Sequence, residues 1–153
     1  MISSTDHTTP PPPASVHGRP QLAVSAVIFR DHRVLVARRA NAPGRGLYSV
    51  PGGRVEHGET LHQAAMREVR EETALAIDIV GFAGWREVLP DPAAGRAGHY
   101  VVISFAARWR AGEVTLNGEL ADFRWIAPEE LLALRTTQGL AEIVDAARRL
   151  VAP

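Results

Sequence analysis

The chain has 153 residues, enough for one domain with a true core and too few for a comfortable second. Apolar residues make up 46% and charged residues 22%, a globular composition, and the 17 basic and 17 acidic residues cancel, so no global field draws the surface toward nucleic acid or an anionic membrane. Cysteine is absent, which excludes disulfides and thiolate chemistry, argues against a structural zinc site, and fits a cytoplasmic location.

Residues 1–20 include Pro10, Pro11, Pro12 and Pro13 and little to bury, so they are expected to form a flexible tail outside the fold. They lack the apolar core segment of a secretory signal, and no apolar run in the chain approaches membrane-spanning length. Residues 22–29 are apolar except Ser25 and read as a buried strand. A turn at Asp31, His32 and Arg33 leads to a second strand at 34–37, making a hairpin. A loop at 41–46 follows, then a short strand at 47–50, ended by Pro51, Gly52 and Gly53. Thr60 caps a helix over 61–73, with Gln63 completing a capping box. Further strands are expected at 77–80, 101–107 and 123–126, with a loop at 90–98 and a turn at Asn117-Gly118. Pro128 suits the first turn of a helix through Leu134, and Leu140, Ile143, Val144, Ala147 and Val151 mark the packing face of a last helix. Strands gathered around one mid-chain helix and closed by a terminal helix imply a single α+β or mixed α/β layered domain over 21–153, with a mixed sheet because hairpins and crossovers both occur.

The helix over 61–73 carries an anomaly. At about 100° per residue, Leu61, Ala64 and Ala65 fall on one side, Glu68 and Glu72 fall on that same side, and Glu71 lies beside them. Like charges at these spacings cost a few tenths of a kcal/mol per exposed pair, and more at the edge of a core. A divalent cation with oxygen ligands would remove that cost. A solvated acidic patch neutralised by Arg67 and Arg70 is the competing reading, and the helix alone leaves both open.

The segment from Gly52 to Leu75 reads GGRVEHGETLHQAAMREVREETAL. It resembles the Nudix hydrolase box: a glycine, five residues, a glutamate, seven residues, then Arg-Glu-aliphatic-x-Glu-Glu-x-Gly-aliphatic. Gly53, Glu59, Arg67, Glu68, Val69, Glu71, Glu72 and Leu75 match it in spacing. The box glycine before Leu75 is Ala74 here, and Tyr48 stands where the family often has tryptophan. The likeness runs over roughly residues 21–150. It implies an α/β/α sandwich around a mixed sheet, and magnesium-dependent hydrolysis (manganese as substitute) of a phosphoanhydride in a nucleoside diphosphate linked to another group.

By that resemblance, Glu68, Glu71 and Glu72 bind metal, with the Gly52 carbonyl as a further ligand. Glu68 or a later glutamate acts as base, and Glu119, in the loop before Phe123, is the later candidate, against the reading of an ordinary exposed loop glutamate. Glu59 and Arg67 support the site, with Arg67 orienting carboxylates. Arg38 and Arg39 end the second strand and are candidate phosphate contacts, although exposed strand-end arginines are commonplace. Trp85, Trp109 and Trp125 are expected in core or sheet, and His57 and His62 in solvent.

Pro90 lies fifteen residues after Leu75, a placement that resembles the ADP-ribose-cleaving branch. Nucleoside triphosphates and other nucleotide-sugars remain alternative substrates. A ligand-sensing module would be expected to have lost metal ligands, and a diphosphate isomerase to carry a cysteine; neither fits this chain. The glycine-rich stretch lacks the Gly-Lys-Ser/Thr ending of a Walker loop. The expected partner is a small nucleotide, not nucleic acid or membrane, and the protein a monomer or homodimer.

Overall fold

The computed structural model describes residues 18–153, and the expected proline-rich tail, apart from its last three residues, lies outside them. The order of elements is β1 (Gln21–Arg30), β2 (Arg33–Arg39), β3 (Tyr48–Ser49), β4 (Gly52–Arg54), α1 (Leu61–Thr73), β5 (Ala76–Val88), β6 (Tyr100–Ala111), β7 (Leu120–Ile126) and α2 (Leu140–Val151). Among the described residues no helix is long and apolar enough to cross a membrane.

β1 lies at the centre of a seven-stranded sheet ordered β3-β2-β1-β6-β5, with β4 also paired to β1 and β7 to β2. β1 runs parallel to β6 from Gln21 opposite Tyr100 to Phe29 opposite Arg108, and the other pairings are antiparallel, so the sheet is mixed as expected. The unbroken apolar run of β1 follows from burial on both faces. Val24, Ala26 and Ile28 join the layer with Ala64, Ala65 and Val69 of α1, and Val27 and Phe29 join the layer with Leu140, Val144 and Ala147 of α2. The result is the helix–sheet–helix sandwich. Ser25, the polar exception, shares a 2.7 Å hydroxyl contact with Ser104.

Several elements differ from expectation. Gly52 and Gly53 do not merely end a strand; they form β4 with Arg54, opposite Ser25, Val24 and Ala23. The strand expected at 77–80 continues to Val88, past Gly81 and Gly84, where the register against β6 shifts. The segment after Pro128 is a 3-10 helix, Pro128–Ala133. The loop after β5 contains a short 3-10 turn, Pro92–Ala94. Trp85 sits in the sheet but is 64% exposed. Tyr48 is buried, and its hydroxyl donates to Asp122 at 2.7 Å.

α1 begins and ends by local chemistry. The Thr60 hydroxyl accepts from the Gln63 amide at 3.1 Å, and the Gln63 side chain accepts from the Thr60 amide at 2.9 Å. Val69, fully buried, contributes about 2 kcal/mol of burial to the helix–sheet contact. At the other end Ala74 adopts φ 64°, ψ 10°, and its amide donates to the Arg70 carbonyl. This left-handed cap is where glycine has no Cβ penalty. Ala74→Gly is therefore expected to stabilise the protein by up to about 1 kcal/mol, net of the freedom glycine adds to the unfolded chain. A thermal melt should show Tm rising by roughly 2–4 °C; a fall would mean that the Cβ strain is negligible.

Candidate active site

Three elements converge on one cleft of about 1590 Å³: the C-terminal half of α1, the β4 glycines, and the turn before β7. Glu68, Glu71, Glu72 and Glu119 all line it, as do Gly52 and Gly53. The volume exceeds that of a common small-ligand pocket and admits a nucleotide with a linked group.

The helix presents its carboxylates at graded depth. Glu72 is 5% exposed, the Glu68 side chain 13%, and the Glu71 side chain 56%. Glu72 accepts the Gly52 amide at 3.2 Å. Gly52 stands at a non-hydrogen-bonded position opposite Ser25, because the flanking ladder bonds are Ala26 N–H to Pro51 O and Leu22 O from Val55 N–H. Its amide and carbonyl therefore both face away from β1, on the side where Glu72 stands. Gly53 is glycine for a steric reason: a Cβ there would overlap the Glu68 carboxyl group.

Arg67 organises the rest. Its guanidinium donates to Glu59 at 2.7 and 2.9 Å, to Glu68 at 2.9 Å, to Glu71 at 3.2 Å and to the Arg54 carbonyl at 3.0 Å. Glu59 in turn accepts the Glu56 amide. The Arg67 contact, then that amide, hold the Glu59 carboxyl at about 2, and Glu59 in return raises Arg67 above its ordinary range.

Burial raises the Glu68 carboxyl, although Arg67 opposes the rise. Glu72 is pushed up to about 8, first by burial, with the charges of Glu68 and Glu119 adding to it and the Gly52 amide working against it. Crowded carboxylates with raised affinity for a proton are also crowded carboxylates with affinity for a divalent cation. Glu68, Glu71, Glu72, Glu119 and the Gly52 carbonyl are all oxygen donors, so the site fits a hard divalent cation by donor type and charge. Among the described residues the carboxylates do not converge into a closed three-ligand cage, because Arg67 holds Glu68 and Glu71.

The raised Glu72 carboxyl has a consequence for stability. Its folded value lies above the ordinary 4.5, so the metal-free fold holds this proton more tightly than the unfolded chain does. That contribution is complete below about 4.5 and is lost as pH rises toward 8. In chelator, Tm should decline across that window. Glu72→Gln should remove the decline, and magnesium should flatten it in the native protein. An unchanged slope in Glu72→Gln would assign the decline to other groups.

Other residues fall less centrally. Arg39 lines the cleft, but its Nε donates to the Pro43 carbonyl at 2.8 Å. Arg38 is exposed outside the cleft lining, with its charge near Asp122. His57 is exposed, and His62 packs edge-on against Phe105, with ring centroids 4.8 Å apart. Arg86 and Arg96 also line the cleft. Sequence reasoning missed both, because only the pairing of the long β5 with β6 brings them there.

Comparison with known proteins gives one consistent picture. Residues 19–147 match the family model described as NUDIX domain. An ADP-ribose pyrophosphatase of Methanocaldococcus jannaschii is 36% identical over 95 residues, covering 62% of this chain and 54% of that protein. An NAD-capped RNA hydrolase, NudC, of Stutzerimonas stutzeri is 33% identical over 152 residues, covering 93% of this chain and 51% of that protein. The chain thus spans about half the length of these curated relatives. A solved NUDIX hydrolase from Nitrosomonas europaea superposes with a TM-score of 0.72 at 21% identity, covering 86% of this chain and 90% of that one, a likeness of fold.

Proposed function

The chain belongs to the Nudix hydrolase family, and from that premise we propose that it hydrolyses a phosphoanhydride bond in a nucleoside diphosphate linked to another group, using magnesium or manganese. One observation carries the reading: Glu68, Glu71, Glu72 and Glu119 line one cleft together with Glu56 and Glu87, and Arg67 pairs with Glu68 and Glu71 but leaves the buried Glu72 without a cation. A surface patch would not bury Glu72 to 5%. The intact carboxylates also speak against a module that only senses its ligand.

Glu68, Glu71, Glu72 and the Gly52 carbonyl would hold the metal. When bound, the cation would neutralise phosphate charge and lower the pKa of a water. The chain's own residues then have defined tasks. Arg67 and Glu59 hold the carboxylates in register. Glu72 is anchored on the Gly52 amide. Glu68, beside Arg67, and Glu119, whose charge bears on Glu72, are the candidates to take a proton from water. ADP-ribose is the first substrate to test, because one relative is named for that reaction and Pro90 stands just past the end of β5.

The test is incubation with ADP-ribose, NAD, nucleotide-sugars and nucleoside triphosphates, with products resolved by mass. Cleavage of the diphosphate in ADP-ribose, dependent on magnesium or manganese and absent in excess chelator, is expected. Oxygen-18 water should label one of the two phosphate products. Full activity in chelator would reject the metal-dependent reading, and cleavage of triphosphates alone would reassign the substrate.

A further inference from the structure

The cleft is lined by arginines as well as glutamates. All 17 of the chain's basic residues are arginines, and Arg39, Arg86 and Arg96 line the same cleft as the glutamates. Arg39 and Arg96 have protein partners. Arg96 donates from Nε to the Leu89 carbonyl at 2.9 Å and lies 3.8 Å from Asp91. Arg86 has none: among the described residues it forms no ion pair and no side-chain hydrogen bond. It is half-buried on β5, and its aliphatic stem lies against Gly139, where a Cβ would stand 3.5 Å from its Cδ.

This placement is costly. Burial, and then the neighbouring charge of Arg96, hold the Arg86 guanidinium below its ordinary range, and no carboxylate opposes them. A half-buried cation beside a second cation, lacking a counter-ion, calls for an anion from outside the chain. A guanidinium offers a planar fork of donors that matches phosphate oxygens two at a time. Arg96, tethered by Leu89, is held beside it and would add a second fork.

We propose that Arg86, with Arg96 beside it, is a phosphate clamp that binds the diphosphate of the nucleotide substrate in this cleft. It is a substrate-binding device, so it should govern affinity more than the rate of the bound complex. It rests on the reading that nucleotides are cleaved in this cleft.

The test uses the full chain, native and as Arg86→Gln and Arg86→Lys. Each is titrated calorimetrically, in magnesium, with α,β-methylene-ADP, whose P–C–P bridge resists hydrolysis, and with adenosine. Arg86→Gln should weaken α,β-methylene-ADP binding by about tenfold or more and leave adenosine unchanged. Arg86→Lys should recover only part of the loss, because an ammonium lacks the fork. The ligand-free Tm of Arg86→Gln should stay level or rise, since an unpaired buried charge is removed; a merely structural arginine would lower it. In turnover, KM should rise about tenfold with kcat within about threefold. Equal binding of α,β-methylene-ADP by native protein and Arg86→Gln overturns the clamp. So does parallel loss of adenosine binding with a fall in Tm, or native protein that prefers adenosine. Failure to hydrolyse any nucleotide would reject the enzymatic reading while the binding data still decide the clamp.

Discussion

Glu72→Gln is expected to cut turnover by about 10³-fold or more while the protein stays folded. Gln keeps the volume of Glu72 and its ability to accept the Gly52 amide, so the anchor at 3.2 Å survives. What disappears is one negative charge in a site where burial amplifies charge. A metal ion contributes several kcal/mol to stabilising transition-state charge, and about 4 kcal/mol corresponds to about 10³ in rate. The fold should not suffer, because the native carboxyl stands against Glu68 and Glu119. Glu71→Gln should act in the same direction, although its 56% exposed side chain means that little packing is at stake. The measurements are kcat across a magnesium titration, with thermal melts alongside. Both variants keeping most of the magnesium-dependent rate would remove these residues from the metal site.

The parts of this protein that were readable in sequence are those set by local chemistry. The capping box at Thr60 and Gln63 depends on residues three apart, and the helix begins where those residues place it. The position of the box glycine, Ala74 here, proves to be a left-handed cap, the conformation that a glycine there suits. Glu72 turned inward follows from the 3.6-residue period, which places it with Ala64 and Ala65.

What escaped was set by partners distant in sequence. Gly52 and Gly53 have poor strand propensity and become β4 only because β1 pairs with them. β5 looked short because Gly81 and Gly84 interrupt its pattern, yet β6 holds it in register through two bulges around those positions. That long pairing carries Trp85 into the open and Arg86 into the cleft, and neither outcome is encoded within a few residues of either side chain. Glu119 belongs to the same class: a turn glutamate in sequence, it reaches Glu72 because β7 pairs with β2.

The adjacent glycines of β4 should respond to alanine in opposite ways. Neither has a positive φ, so the difference lies in what a methyl group would meet. At Gly52 it would overlap the Val24 carbonyl and stand 2.8 Å from the Ser25 Cα, both in the backbone of the central strand. That strand is hydrogen-bonded on both sides and cannot retreat. Gly52→Ala should therefore destabilise the fold by about 3 kcal/mol or more, at the upper end of what overpacking costs. At Gly53 the methyl would meet only the carboxyl end of Glu68, which can swing aside. Gly53→Ala should cost the fold about 1 kcal/mol or less, but it should displace Glu68 and break its 2.9 Å contact with Arg67. A displacement of about 1 Å at a reacting centre is worth about 10² in rate, so turnover should fall by about that factor in a protein that melts near the native temperature. Denaturant unfolding and kcat measured on the two variants check both halves. If Gly53→Ala kept native turnover, Glu68 would tolerate displacement and its role as metal ligand or base would fall. If Gly52→Ala kept native stability, β4 would be free to move away from β1, and the Gly52 carbonyl would have no fixed place in the site.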